Sequence, residues 1–289
     1  MKAKLNIIHA GTCASIQDKG RIAYAKYGVP KSGYIDLQSA QKLNKLLDNE
    51  KNVAILEWTQ IGPILQFTKA TQIVISDTTS KTTLNGETLR AKEIIDVPED
   101  SLLNLGNNPN AMYAYLAVKE GFQTSRILGS RSMQKGVTKF GLLHLKSKLY
   151  YKAQQLKTSF FKKPTFGLHQ PFKDSLARTI DCFPGPEYSL LSEDQQTNLQ
   201  QYFTLSNQRN RMGMQLTEPL PNALPSMLSV PILPGTVQLT PGGKLIVLNK
   251  DCQTTGGYPR ILHLPEKSLA KLSQTAQNVR FRFNITDYD

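Results

Sequence analysis

Apolar residues along the chain fall into short runs separated by glycine, proline, asparagine and aspartate, a pattern of many short strands joined by turns. Leu5–Ile8 is the first run. Between Val53 and Val118 the pattern predicts strands at Ile73-Val74-Ile75, Ile94–Val97, Leu102–Leu105 and the alternating Met112–Val118. Asn85-Gly86 is a tight hairpin signal between Thr82–Leu84 and Glu87–Leu89. In the second half, strands are expected running into Phe183-Pro184-Gly185-Pro186, over Pro234–Leu239, in the apolar run Leu245–Leu248, and in Val279–Phe283, which alternates strictly. Helices are few. Asp36 has the place of an N-cap, with Leu37, Ala40, Leu43 and Leu47 on one face of a helix ending near Asp48-Asn49. Ser192-Glu193-Asp194-Gln195 has capping-box spacing, with Leu199, Tyr202 and Phe203 as the apolar side. Pro265 suits the first turn of a short helix whose inner face is Leu269, Leu272 and Ala276. The sum is a mostly β protein of barrels or sandwiches.

Length turns this into one large or two medium domains, since 289 residues exceed one minimal domain. A hydrophobic content of 39% and a mean hydropathy of −0.34 suit a soluble protein with a real core. No apolar run reaches the ~20 residues of a membrane helix. The first residues, Met1–His9, are charged and then strand-like, without the features of a signal peptide. Cys13, Cys182 and Cys252 form no CxxC pair and read as reduced thiols of a cytoplasmic protein. His9, His144, His169 and His263 are far apart, without ligand spacing to the cysteines, so no metal site is expected. A net charge of +13 is compatible with nucleic acid, an acidic protein partner or an anionic substrate. From Lys146 to Lys163 there are six lysines, no acids and four aromatics, Tyr150, Tyr151, Phe160 and Phe161. That mixture occurs in single-strand binders. Without an RNP, KH or helix-turn-helix pattern, it reads instead as a basic connector. A boundary is placed near residues 150–175, where Lys163-Pro164 and Gln170-Pro171 break regular structure. This gives domains over 1–165 and 166–289, with exchange of segments between them allowed.

No GxSxG elbow, phosphate-binding loop, GxGxxG or HExxH pattern is present. The candidate chemistry lies in polar turns: Ser15–Arg21, Ser32–Asp36, Leu128-Gly129-Ser130-Arg131-Ser132, Asn210–Gly213 and Asp251–Tyr258. The last follows the buried run Leu245–Leu248 and ends in Gly256-Gly257-Tyr258-Pro259. Its local chemistry leans towards a strand-to-strand turn whose threonines satisfy its own backbone, and it also suits a polar pocket. Arginines, carboxylates, amides and hydroxyls at strand ends can orient a small amide or carboxylate and stabilise a developing oxyanion. They do not identify a nucleophile. Glu57-Trp58-Thr59-Gln60-Ile61-Gly62-Pro63 holds the single tryptophan, read as a core plug.

At these turns the sequence resembles the KipA family of 5-oxoprolinase C subunits, also described as allophanate hydrolase subunit 2 or the biotin-dependent carboxyltransferase family. Ser15–Arg21 is similar to its SIQDxGR element, and Gly28–Asp36 to its GVPxSGxxD. Leu56–Thr59 with Gly62-Pro63 is similar to LExT…GP, and Leu128–Ser132 to LGSRS. Pro184-Gly185-Pro186 matches PGP, Arg211-Met212-Gly213 matches RMG, Pro234–Gln238 resembles PGTIQ, and Gln253–Pro259 matches QTTGGYP. The sequence departs from the pattern at Met133, where a threonine commonly follows LGSRS, and at Val237, a trivial change. It also departs at Lys139-Phe140-Gly141-Leu142-Leu143-His144, which stands for a longer GGxxGR stretch and makes a divergent paralogue conceivable.

The resemblance implies two cyclophilin-like β-barrel domains with a few short helices. Its implied partners are a KipI-like B subunit of 5-oxoprolinase and the A subunit of the same enzyme, an ATP-dependent complex that opens pyroglutamate to glutamate. ATP is then used by the complex, and this chain alone binds no cofactor. Two other roles occur among such proteins: a carboxyltransferase using biotin on a separate carrier, and a non-catalytic antagonist of a KipI-type kinase inhibitor. On the first reading Asp18, Arg21, Asp36, Asp251, Gln253 and Tyr258 are the catalytic candidates. Ser32, Arg131, Arg211, Gln238, Thr254 and Thr255 bind a small-molecule substrate in a cleft between the barrels. No membrane is expected as partner, and nucleic acid trails well behind.

Overall fold

The computed structural model describes residues 1–77, 79, 81–108, 112–156, 178–225 and 227–287. The chain divides into two compact units: Met1–Ile22 with Ser32–Pro171, and Ala23–Lys31 with Phe172–Asp289. The expected division at 165/166, its breaks at Lys163-Pro164 and Gln170-Pro171, and Phe160, Phe161 and His169 lie outside the described residues.

The first unit holds strands β1 (Lys2–His9), β2 (Thr12–Gln17), β3 (Ile55–Thr59), β4 (Ile64–Phe67), β5 (Thr71–Ile75) and β6 (Thr83–Leu84). It continues with β7 (Glu87–Thr88), β8 (Ile95–Val97), β9 (Leu102–Asn104), β10 (Tyr113–Val118) and β11 (Leu149–Lys152), with helix α1 (Leu37–Leu46) between β2 and β3. Six strands form one sheet in the order β11-β1-β4-β9-β6-β7, and five form a second in the order β2-β3-β10-β5-β8. Every residue of β3 and β10 is buried, because the second sheet is covered on both faces. Period-two alternation sorts the side chains: Ala114, Leu116 and Val118 join Leu5, Phe67 and Trp58 in one core, while Tyr113, Tyr115 and Ala117 pack with Ala40 and Leu43 of α1 and with Leu47, its C-cap. Trp58 is the core plug expected of it, 1% exposed. Asn85 and Gly86, at φ 51° and 91°, make the hairpin that joins β6 to β7.

Leu149–Lys152 corrects the reading of Lys146–Lys163 as a plain basic connector. It pairs with β1, and Tyr151 is fully buried with its hydroxyl donating to Lys69 O. Alternation places every second residue of a basic run in the core, so charge density hides a strand there.

The second unit holds β12 (Arg178–Pro184), α2 (Glu193–Asn198), β13 (Tyr202–Phe203), β14 (Leu205–Arg209), β15 (Gly213–Leu216), β16 (Val230–Pro231) and β17 (Thr236–Leu239). β18 (Leu245–Leu248), β19 (Thr255–Gly256), β20 (Arg260–His263), α3 (Glu266–Ser273) and β21 (Phe281–Ile285) complete it. Eight strands form a sheet in the order β13-β21-β12-β20-β17-β18-β15-β14, and β16 pairs with β19 apart from it. The two edge strands β13 and β14 are separated in the chain by Thr204 alone, so the sheet curls round into a nearly closed barrel. Its core is built from Ile180, Phe203, Val237, Leu262, Phe281 and their neighbours, closed by Leu269 and Leu272 of α3.

Two helix expectations need correction. The capping box at Ser192 forms as expected, but α2 stops at Asn198, and Tyr202-Phe203 is a strand paired with β21. Barrel closure claims these aromatics before a longer helix can. α3 likewise ends at Ser273, so Ala276 is not on its inner face. The mostly β expectation holds, with three α-helices among the described residues.

Candidate functional site

In the first unit the polar turns meet around one carboxylate. Asp18 is 7% exposed and follows the end of β2. Its Oδ1 accepts from Gly20 N at 2.9 Å, Ser130 Oγ at 2.5 Å and Ser132 Oγ at 2.8 Å, and its Oδ2 from Arg131 N at 2.7 Å. The Ser132 hydroxyl also accepts from Asp18 N at 3.1 Å. Asp18 therefore clamps the Leu128–Ser132 loop to the end of β2. Buried Arg21 donates to Ser132 O and reinforces the same junction. The second polar turn is fastened to the first by Tyr34 N donating to Asp18 O at 3.0 Å. Gly33 lies beneath it at φ 95°, where a Cβ would come within 3.0 Å of Asp18 O and Gly20 N. Ser32 donates to Gln134 Oε1 at 2.8 Å.

Asp36 does what its N-cap pattern predicts. Its carboxylate accepts from Ser39 N at 3.0 Å and Ser39 Oγ at 2.6 Å. The side chain to which the resemblance assigns a catalytic part is thus occupied as a cap. Behind it Glu57, buried on β3, accepts from Ile35 N at 2.9 Å. Tyr115 accepts from Asp36 N at 2.9 Å, and burial, with Glu57 and Asp36 nearby, pushes its phenol well above the usual range.

In the second unit Arg211 and Asp251 form a two-pronged ion pair, Nε–Oδ2 at 2.9 Å and Nη2–Oδ1 at 3.1 Å, and Asp251 N donates to Arg211 O at 2.7 Å. This brings the Asn210–Gly213 and Asp251–Tyr258 turns together. Thr254 O accepts from Ile232 N at 3.0 Å and Gly257 O from Met227 N at 3.2 Å, so the turn's backbone is pinned. Gln253, Thr255 and Tyr258 point outward and are exposed. Gln238 is 1% exposed beneath the turn. Its Nε2 has no hydrogen-bond partner and lies 2.6 Å from where a Gly256 Cβ would stand. One of the paired glycines thus allows close approach of an amide from the barrel's own strand.

Sequence reasoning singled out the Ser130–Ser132 turn but took only Arg131 from it as a site residue, although Ser130 and Ser132 complete the Asp18 cluster; it missed Gln134, which holds Ser32, and Lys250, Glu187 and Arg260. Buried Lys250 meets Glu266 Oε1 at 2.5 Å; burial lowers its proton affinity, and Glu266 only partly offsets this. Glu187 accepts from Arg260 Nε at 2.9 Å, Arg260 Nη2 at 2.7 Å and Arg260 N at 2.9 Å, tying the PGP turn to the residue after Pro259. A carboxylate just past PGP and an arginine just past QTTGGYP were the available signal. Among the described residues no group of three or more His, Cys, Asp or Glu is arranged to hold a metal. No helix among them is long and apolar enough to cross a membrane.

The candidates thus fall in two groups. Asp18, Arg21, Ser32, Asp36 and Arg131 belong to the first unit, and Arg211, Gln238, Asp251, Gln253, Thr254, Thr255 and Tyr258 to the second. The three carboxylates among them, Asp18, Asp36 and Asp251, all have structural partners, and polar capacity is left on Gln238, Gln253, Thr255, Tyr258 and Arg131. The family model for the carboxyltransferase domain, subdomains A and B, matches residues 27–285. The chain belongs to the carboxyltransferase domain family. Among named members, the C subunit of Escherichia coli K12 5-oxoprolinase is 28% identical over 273 residues, covering 93% of this chain and 87% of that one. The C subunit of Haemophilus influenzae 5-oxoprolinase is 27% identical over 290 residues, covering 96% and 90%. The urea amidolyase of Saccharomyces cerevisiae is 33% identical over 129 residues, covering 44% of this chain and 7% of its own length. In fold, this carboxyltransferase-domain chain matches the Kluyveromyces lactis urea carboxylase at a TM-score of 0.85 and 24% identity, covering 97% of this chain and 27% of that one. It matches TTHA0988 at a TM-score of 0.84 and 24% identity, covering 98% of this chain and 56% of that one. It therefore spans little more than half, or less, of these solved relatives.

Proposed function

We propose that this chain is the C subunit of an ATP-dependent 5-oxoprolinase. In the cytoplasm it joins the KipI-like B subunit of that enzyme, together with the A subunit, to convert 5-oxoproline to glutamate. The observation that carries the reading is the match to two 5-oxoprolinase C subunits over nearly the full length of both partners. The chemistry agrees with it. Opening a lactam needs donors aimed at a carbonyl oxygen that gains charge, and Gln253, Thr255 and Tyr258 are donors with no other engagement among the described residues. Arg211–Asp251 positions the turn that carries them, with Gln238 buried beneath it. In the first unit the Asp18 clamp positions Arg131. The test is to purify the chain with its two partner proteins and follow pyroglutamate-dependent ATP hydrolysis. Gln253→Ala and Tyr258→Phe should lower turnover while the complex still assembles. Full activity of the two partner proteins without this chain removes the proposal.

The urea amidolyase matches favour a second reading, carboxyl transfer from biotin on a separate carrier. Carboxylation of an amide substrate by this chain and a carboxybiotinylated carrier, with no 5-oxoprolinase activity in the reconstituted complex, would replace the first reading with this one.

A further inference from the structure

A depression of about 520 Å³ opens on the first unit, and of its lining residues the proposed function draws on Arg131 alone. Arg126, Arg131, Thr124, Gln123, Glu120 and Lys152 are among the residues lining it. The charges do not cancel. Glu120 is engaged by Lys152 at 2.7 Å and by Gln154 Nε2 at 3.0 Å. Arg126 and Arg131 make no ion pair with a carboxylate among the described residues. They are near enough to repel: Arg131 holds its proton less tightly than usual, first through burial and next through Arg126. Asp18 pulls the other way, but its oxygens are taken by Ser130, Ser132, Gly20 N and Arg131 N.

Arg131 is fixed at both ends. Its backbone N–H is held by Asp18, and its Nη2 donates to Gln123 Oε1 at 3.2 Å. Gln123 is held in turn by Nε2 donating to Glu120 O at 2.8 Å and Gly121 O at 3.2 Å. A guanidinium oriented in advance loses little freedom on binding and presents a fork matched to two oxygens of one anion. Beside it Thr124 carries a buried hydroxyl with no hydrogen-bond partner, which a native structure rarely leaves unexplained. We propose that Arg126, Arg131 and Thr124 form a binding site for the oxyanion group, carboxylate or phosphate, of a small molecule. The site adds Arg126 and Thr124 to the binding part already proposed for Arg131 and rests on that reading to this extent; loss of anion binding and loss of pyroglutamate-dependent turnover are measured separately.

The test is calorimetric titration of the full chain with inorganic phosphate and, separately, with L-glutamate, at an ionic strength held constant with chloride. At least one anion should bind saturably at one site, and the tighter of the two tells phosphate from carboxylate. Arg126→Ala and Arg131→Ala should each weaken that binding roughly tenfold or more, as for loss of a charge-assisted hydrogen bond. Arg126 is exposed, so its variant keeps the fold and decides the matter even if Arg131→Ala does not fold. Absence of saturable binding of both anions, or unchanged affinity in Arg126→Ala, overturns the proposal.

Discussion

Replacing Asp18 separates a structural carboxylate from a reacting one. Four donors converge on it, and they differ in what they can do once it is gone. The hydroxyls of Ser130 and Ser132 can rotate, and Ser130 Oγ already accepts from Ser132 N at 3.0 Å. Gly20 N and Arg131 N cannot turn without moving the chain. Asp18→Ala therefore leaves two main-chain N–H groups without their acceptor, each costing about 1–3 kcal/mol where no water replaces it. Allowing for partial relaxation, the expected loss is about 3–5 kcal/mol. Asp18→Asn keeps one acceptor oxygen but sets an NH2 against a donor, and should lose about 2–3 kcal/mol. Urea unfolding followed by fluorescence, with midpoint and slope both fitted, reads these values. A loss under about 1 kcal/mol for Asp18→Ala would refute the clamp, and so would equal losses for Ala and Asn. Full stability with abolished turnover would return Asp18 to the reacting groups.

Other outcomes follow from the second unit. A Cβ at position 185 would stand 2.0 Å from Arg260 O, so Gly185→Ala should destabilise by about 3 kcal/mol or more and lower soluble yield; a Tm within two or three degrees of the parent's would contradict this close approach. Gly256→Ala should cost about 1–3 kcal/mol by displacing the Gln238 amide, and adding Gln238→Ala should recover part of that cost in a double-mutant cycle; strict additivity would show that the two do not touch. The Arg260 hydrogen bonds hold the Glu187 carboxyl below its usual range, so their stabilisation is complete above about pH 4.5 and is lost as pH falls through the lower, folded value. Glu187→Gln should lower stability at neutral pH and flatten the acid limb of the pH–stability curve; an unchanged limb would remove the pair from the linkage.

What was legible in the sequence was what depends on near neighbours. The Asn85-Gly86 hairpin, the Asp36 cap and the Ser192–Gln195 box each rest on residues within four positions, and each formed. Signals that depend on distant partners were hidden or misread. Tyr202-Phe203 looks helical until β21 offers it an edge, and Leu149–Lys152 looks like a basic linker until β1 does. The polar turns were found as candidates because their residue types are unusual for connectors. That Asp18 spends both oxygens on a loop 112–114 residues away could not be read from spacing. The outward side chains of the Gln253–Tyr258 turn were equally hidden, since alternation of so short a strand as β19 sets no inside or outside.

The parallel pairing of β12 with β21 has a consequence for how the molecule is made. Arg178–Cys182 finds its partner in Phe281–Ile285, and Asp181 meets Asn284 across 103 positions. During synthesis β12 leaves the ribosome long before β21 or its other neighbour β20 exists, with both edges unsatisfied and Ile180 and Cys182 uncovered. At ~5–20 residues per second that exposure lasts roughly 5–20 seconds. A chaperone that shields nascent edges, or a pause in translation between these strands, would therefore change the yield of this protein without changing the stability of the finished barrel.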